Sequence, residues 1–390
     1  MKDMKRYLYL LLTFFSWSLV ASAIGITHGP YICDMDSTSV TIVWTTDKPG
    51  LSWVELAPAG TDHFYSQERP KYFDTRHGRK IVRDSVHQVR IEGLTPGTQY
   101  RYRIFTKEMT DWKWSDYVLY GDVASSVVYQ HDPYTFTTFP SGQRDVTFLV
   151  LNDIHENPGM MMNLCRDVDF KQVDFVVLNG DMVSRIEDQN ELLTSFVDSL
   201  VAMCATSVPI FLNRGNHETR GKFADELFRY FPDHSGHYYR LKQLFGIDFL
   251  FVDSGEDKPD SDIEYSEIAD YDNYRLEQAH WLQSLQRTRQ TGHHPLVVFC
   301  HVPPTLENWH GPKHLLKTVV PELNRMNVSV MLSGHLHRFA YQEPNDVIHF
   351  PNLANGNQSY LMCRIHDNTM HVDYVGLDAK ESRKFSFTLK

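Results

Sequence analysis

Five short runs carry side chains able to bind metal ions or move protons. They are Asp153-Ile154-His155, Gly180-Asp181, Gly215-Asn216-His217-Glu218, His301, and Gly334-His335-Leu336-His337. Asp153, His155, Asp181, Asn216, His301, His335 and His337 give two Asp, one Asn and four His as candidate ligands. That set is too large for one ion and suits two. Imidazole with carboxylate favours zinc, manganese or iron over calcium or magnesium alone. Two such cations, about 3.5–4 Å apart, can share a hydroxide and clamp the attacking and leaving oxygens of an in-line displacement. Coordination also brings bound water towards neutrality as an acid, so no side-chain base is needed. Each run alone is weak, because a D-x-H triplet arises by chance and a lone strand-end His is more often structural. Their joint occurrence, in order, carries the reading.

The elements that must position these residues are visible around them. DVTFLVLND, VDFVVLNGD, VPIFLNRGNH, IDFLFVDSG, HPLVVFCHV and VSVMLSGHLH are short, β-branched and nearly continuously apolar. Strands buried on both faces read this way. Amphipathic stretches such as NELLTSFVDSLVAM and LEQAHWLQSLQRT lie between them. The alternation predicts an α/β domain with mostly parallel strands. Ligands of such a sheet bind at the carboxyl ends of its strands, and five of the six strands end in the candidate residues. All should therefore project to one rim of one sheet. MHVDYVGL and FSFTLK predict further strands at a sheet edge.

Residues 24–140 follow a different grammar. TSVTIVWTT and HQVRIEGL alternate between turn residues, and about seven such strands predict a β-sandwich. The LTPGTQYRYRI stretch resembles the fibronectin type III pattern, while 107–131, with Trp112 and Trp114, reads as an insertion.

The order D-x-H, G-D, G-N-H-E, H, G-H-x-H resembles the calcineurin-like metallophosphoesterase superfamily over roughly residues 145–345. The resemblance implies a sheet sandwich flanked by helices with a dinuclear centre of divalent or trivalent ions (zinc, manganese or iron). It places Asp153, His155 and His337 on the first ion, Asn216, His301 and His335 on the second, and Asp181 between them. Metal-bound hydroxide would attack phosphorus, and His217 would protonate the leaving oxygen, held by an acidic partner such as Glu218 or Asp153. GDMVSR and GNHETR resemble runs of serine/threonine phosphoprotein phosphatases, which points Arg185 at the substrate phosphate. Its guanidinium fork matches phosphate oxygens in two-point geometry. Arg220 either joins it or pairs with a carboxylate. The domain order also resembles purple acid phosphatases, but Ser184 stands where those carry a metal-binding Tyr. No iron–tyrosinate colour is expected.

Residues 1–23 read as a secretory signal peptide: Lys2, Lys5 and Arg6, then the apolar run Tyr7–Val20, then Ala21-Ser22-Ala23. An uncleaved anchor is the alternative. No later segment is long and apolar enough to span a membrane. The expected organisation is signal peptide 1–23, sandwich 24–140 and metallophosphoesterase domain 144–390, in an exported protein, periplasmic or secreted. Removing the leader takes away three basic residues and one acidic residue and leaves a net charge of −13. That balance excludes a general basic surface for long nucleic acids. The partner expected is a small phosphorylated substrate: a monoester, because Arg185 favours a terminal phosphate, or a diester on the same centre. The rival is an inactive exported binding protein working through Trp112 and Trp114, although a degenerate enzyme should have lost ligands and none is lost here. The sandwich is expected to pack beside the catalytic domain and shape one wall of its cleft. Cys33, Cys165, Cys204, Cys300 and Cys363 show no paired spacing and read mostly as small buried hydrophobes. His293 and His294 should lie at the far end of the His301 strand. His234, His237, His310 and Asp253 are weaker candidates for the site.

Overall fold

The computed structural model describes residues 22–142, 145–289, 294–377 and 381–390; side chains of 287–289 are outside the description. The signal-peptide segment, apart from Ser22 and Ala23, lies outside the described residues, as does His293.

Residues 26–137 form two antiparallel sheets and a short two-stranded ribbon, Thr75–Arg76 with Arg79–Lys80. One sheet holds Ile26–Cys33, Val40–Thr46 and Val86–Ile91; the other orders Tyr134–Thr137, Gln99–Trp112, Gly50–Pro58 and Lys71–Phe73, with Val118–Ser125 also on Gln99–Trp112. The segment read as an insertion is this last hairpin. Trp44, Ile42, Val54, Tyr102 and Ile104 fill the space between the sheets.

The six apolar stretches of the second domain are strands, but they divide between two sheets rather than sharing one. The first orders Ile210–Asn213, Phe175–Asn179, Val146–Leu151, Ser359–His366, Thr369–Gly376 and Ser382–Thr388. The second orders Arg240–Leu244, Ile247–Val252, Leu296–Cys300, Val328–Ser333, Asn352–Ala354 and Ala340–Gln342. The three ligand-bearing strands of the first sheet run parallel, as do the two of the second, Leu296–Cys300 and Val328–Ser333, with Ile247–Val252 parallel beside them. Alternation explains the division. Phe148, Val150, Phe175, Val177 and Phe211 point into the layer between the sheets, where they meet Phe249, Phe251 and Phe299. Leu149, Leu151, Val176 and Leu178 point outward to helices of the first sheet; Leu250, Val252, Val298 and Cys300 do the same in the second. Each of these six strands is thus buried on both faces, which the continuous apolar runs require. Apolar runs report burial, not which sheet a strand joins. The edge strands Thr369–Gly376 and Ser382–Thr388 sit where the sequence predicts.

The sandwich and the second domain share core. Phe139 meets Phe245 at 4.9 Å and Phe175 at 6.1 Å between ring centroids. Tyr31 and Tyr102 donate their hydroxyls to the carbonyls of Tyr230 and Thr206. All five cysteines are buried and free. Among the described residues, no helix is long and apolar enough to cross a membrane.

Candidate metal centre

Three of the five ligand-bearing segments leave their strands in a sharp turn. Asp153, His155, Asp181, His335 and His337 all have φ between 46° and 69°. Five non-glycine residues in the left-handed region at one place represent strain of about 1–3 kcal/mol each, kept by surrounding contacts. Two glycines make the crowding possible. A Cβ on Gly180, itself at φ 87°, would meet His301 Nδ1 at 2.4 Å, and one on Gly215 would meet Asp181 Oδ1 at 2.3 Å.

Although the strands belong to two sheets, their carboxyl ends meet at one rim. Asp153, His155 and His337 form one cluster, and Asp181, His301 and His335 a second. Asp181 also groups with His155 and His217, so it lies between the two. In the first cluster, His155 Nε2 and His337 Nε2 are 3.0 Å apart, and His337 Nε2 is 3.3 Å from Asp153 Oδ1. That buried oxygen has no hydrogen-bond partner. An orphaned carboxylate oxygen facing two imidazole nitrogens is what a cation site supplies, since each such acceptor otherwise costs about 1–3 kcal/mol. In the second cluster, His301 Nδ1 donates to the Asn179 carbonyl at 2.7 Å, which leaves the Nε2 lone pair aimed at Asp181 Oδ2, 2.9 Å away. Two acceptors this close need a proton or a metal ion between them. Burial would lower the His301 imidazole, but the Asp181 carboxylate outweighs it and raises it to about 10. Burial would likewise raise Asp181, yet His301 and His217 hold it well below the usual carboxylate range. Asn216 is buried beside them with Oδ1 3.0 Å from His335 Nδ1. The reversed amide would instead donate to His335 and Asp181. An oxygen facing this cluster is what a cation requires, so both donor sets fit metal ions.

The neighbours of the ligands revise several expectations. Glu218 does not touch the His217 side chain. Its carboxylate is wholly buried and accepts from the backbone N–H of Gly215 and Asp181 at 2.8 Å, of Met182 at 2.7 Å and of Val183 at 3.4 Å. It therefore pins the Asp181 turn. Burial, and then the Asp181 charge, push it up to about 7. His217 Nδ1 lies 2.8 Å from the Ser184 carbonyl, which accepts its proton, and the backbone N–H of His217 donates to Asp181 Oδ1. Nε2 then faces the centre, 3.9 Å from Asp181 Oδ2. Arg220 is held by Glu256 through Nε at 2.7 Å and Nη2 at 2.9 Å, with Asp257 3.6 Å away. Of its two expected uses, the carboxylate pair is the one formed. Arg185 is exposed and makes no ion pair among the described residues. It lines a cleft of about 640 Å³ that opens at His217, with Thr219, Tyr265, Ile268 and Tyr271 on other walls. Among the described residues, none that lines this cleft comes from the N-terminal domain, and the expected sandwich wall is not among its sides.

The weaker candidates fall outside. Asp253 is buried against Arg214 at 2.8 Å. His310 pairs with Asp272, His234 with Asp34, and His294 with Asp248. Trp114 is exposed at 76%, far in sequence and sheet from the clusters.

Three groups of supporting residues escape sequence reasoning. Glu156 accepts from the Ser184 backbone N–H and, at 2.7 Å, from its hydroxyl, which sits 3.3 Å from His155 Nδ1. Glu307 reaches His335. Beneath the centre, Asn213 donates to Asn179 at 2.8 Å, Asn179 to the Leu332 carbonyl at 3.1 Å, and Asn355 to Asn152 at 2.6 Å. Three of these asparagines had a signal: Leu-Asn closes each of the first three strands.

Residues 146–339 match the family model described as Calcineurin-like phosphoesterase, and residues 32–138 match Purple acid Phosphatase, N-terminal domain. With this fold and site, the chain belongs to the calcineurin-like phosphoesterases, hydrolases of phosphate esters, in the two-domain arrangement of purple acid phosphatases. A search of curated protein sequences finds no match. The purple acid phosphatase from yellow lupin (Lupinus luteus) seeds is similar over 92% of this chain and 73% of its own, at 12% identity and a TM-score of 0.58, which shows a shared fold. A phosphoesterase from E. coli aligns with 63% of this chain and 100% of its own at 12% identity and TM-score 0.32. A 5'-nucleotidase from Candida albicans aligns with 63% and 51% at 13% identity and TM-score 0.34. The family implies divalent or trivalent metal ions, which the two donor clusters fit.

Proposed function

We propose that this chain is an exported phosphomonoesterase with a dinuclear metal centre, in which a leader (1–23) precedes a sandwich (24–140) and a catalytic domain (144–390). The observation that carries the reading is Asp181, a buried carboxylate common to two clusters of imidazole donors. In this reading Asp153, His155 and His337 would hold one ion, Asn216, His301 and His335 the other, and Asp181 would serve both. When bound, two such ions neutralise phosphate charge and acidify a water nucleophile.

The remaining work falls to the chain itself. Arg185, exposed at the cleft and unpaired, is placed to grip two phosphate oxygens, which favours a terminal phosphate. His217 is anchored through Nδ1–H on the Ser184 carbonyl, so Nε2 faces the centre and, in the imidazolium form, gives the leaving oxygen its proton. Glu218 keeps the Asp181 turn in place, and Arg220, clamped by Glu256, forms part of the cleft floor. The cleft falls in the size range of small-molecule sites and exceeds what a phosphate alone needs, which suits a substantial leaving group. Export is supported by the basic, apolar and small-residue order of the leader.

One experiment tests the reading. Metal-stripped wild type and His217→Ala are reloaded with zinc, manganese or iron and assayed on an aryl monoester, an alkyl monoester and a bis-aryl diester. Two ions per chain and a preference for monoesters are expected. His217→Ala should lose roughly 10²–10⁴-fold on the alkyl ester and much less on the aryl ester, whose leaving group needs no proton. One ion per chain sinks the dinuclear centre, a preference for the diester makes the protein a phosphodiesterase, and equal losses on both monoesters remove His217 as the acid.

A further inference from the structure

The loop after His301 brings a carboxylate to the centre that no motif marks. Glu307 Oε2 lies 3.0 Å from His335 Nε2, while the other ring nitrogen, Nδ1, lies 3.0 Å from Asn216. The two nitrogens of His335 therefore face different chemistry. Both side chains are largely shielded, with 10% of His335 and 25% of Glu307 exposed. The His335 backbone N–H donates to Asp153 Oδ2 at 2.9 Å, and two residues before Glu307 the Thr305 hydroxyl donates to the Gln342 side chain on an edge strand.

The tautomer follows from either orientation of Asn216. If its oxygen faces Nδ1, both can serve a cation only when Nδ1 carries a lone pair. If its nitrogen faces Nδ1, that nitrogen donates and Nδ1 again must accept. In both cases the proton of neutral His335 belongs on Nε2, where Glu307 accepts it. His301 solves the same problem in reverse, with Nδ1 donating to Asn179 and Nε2 free.

We propose that Glu307 is a positioning residue for the second metal ion, fixing the His335 tautomer and ring plane so that Nδ1 is aimed beside Asn216. The proposal rests on the dinuclear reading above. A carboxylate on the far N–H of a ligating imidazole orients the ring and raises its basicity, and losing one commonly costs 10–100-fold in metal affinity. Without Glu307, Nδ1 can take the proton and present N–H, rather than a lone pair, to the ion.

The test is calorimetric titration of the metal-stripped chain with zinc, with ions per chain counted by mass spectrometry, for wild type, Glu307→Ala and Glu307→Gln. Wild type should bind in two steps. Glu307→Ala should weaken one step by about 10–100-fold and leave the other unchanged. Glu307→Gln should recover most of the loss, since its amide oxygen still accepts from Nε2–H. The melting temperatures of the stripped proteins should agree. Two unchanged steps in Glu307→Ala, equal weakening of both, or no recovery in Glu307→Gln overturns the proposal. A wild-type chain that binds one ion or none instead defeats the dinuclear reading, before any variant is compared.

Discussion

Asp34, Asp233 and His234 bring two carboxylates and an imidazole together at the junction of the two domains; Asp181, His301 and His335 bring one carboxylate and two imidazoles together at the strand ends. By donor type both groups could hold a metal ion. At the junction, however, the chain supplies its own cations. The Lys242 ammonium bonds Asp34 and, at 2.6 Å, Asp233; Arg240 reaches Asp233 at 3.1 Å, and Arg90 reaches Asp34 at 2.6 Å. Burial would raise Asp233, but Arg240 and Lys242 hold it well below the usual range. At the strand ends, no Lys or Arg among the described residues pairs with Asp153 or Asp181. Arg185, four residues after Asp181, makes no ion pair among the described residues, and Arg220 is clamped by Glu256. A carboxylate cluster with internal cations acts as a strut between domains. One without them calls for a cation from outside, which is why the second group, and not the first, reads as a metal centre.

The largest effect expected from this contrast is at Asp181. Asp181→Asn removes the shared charge and should lower aryl phosphatase activity roughly 10³-fold or more, with metal binding weakened. Circular dichroism should stay unchanged. Activity within tenfold of wild type would erase the distinction between the clusters. Next is Lys242→Met, which removes the ammonium shared by two buried carboxylates, leaves Asp34 to Arg90 and Asp233 to Arg240, and should cost up to about 3–5 kcal/mol in urea denaturation while leaving metal uptake intact. A cost under about 1 kcal/mol would mean that the strut carries little. The smallest effect concerns His87, a buried imidazole with neither role. It lies against Trp44, 5.4 Å between ring centroids, and 2.7 Å from the Thr46 hydroxyl. Burial lowers it from 6.5 to about 4. Its neutral form therefore favours folding fully above pH 6.5, and that contribution is lost as pH falls towards 4. The loss amounts to at most about 3 kcal/mol. The stability difference between wild type and His87→Gln should be flat above pH 6.5 and shift against wild type below it. A difference independent of pH from 7 to 4 would show that His87 titrates normally.

Most of the fold was legible because burial writes itself into local pattern. Strands of the second domain announce themselves as apolar runs, and those of the sandwich as alternation between turns. The candidate ligands were legible for a related reason: each lies within four residues of a strand end, so chain direction alone sends it to the rim. Supporting residues were not. Glu307 sits in a loop whose only visible features were a Trp and a His. Glu218, expected beside His217, turned to four backbone N–H groups, because a carboxylate buried beside a tight turn takes the donors that the turn exposes. Expecting one sheet where there are two, or a sandwich wall where the cleft has none, has the same source. Periodicity reports that a face is covered and not what covers it.

The sequence by itself determined the donor types, their order, and the strands that carry them, because those depend on residues adjacent in the chain. Only the tertiary structure decided which nitrogen of each histidine faces the centre, whether Arg220 serves phosphate or Glu256, and which carboxylates receive a lysine. These outcomes turn on contacts between residues far apart in sequence, such as Asp34 with Lys242 or His301 with Asp181. At hydrogen-bond range, a difference of an ångström or a ring flip exchanges a proton for a metal ion. No local pattern encodes a distance of that kind.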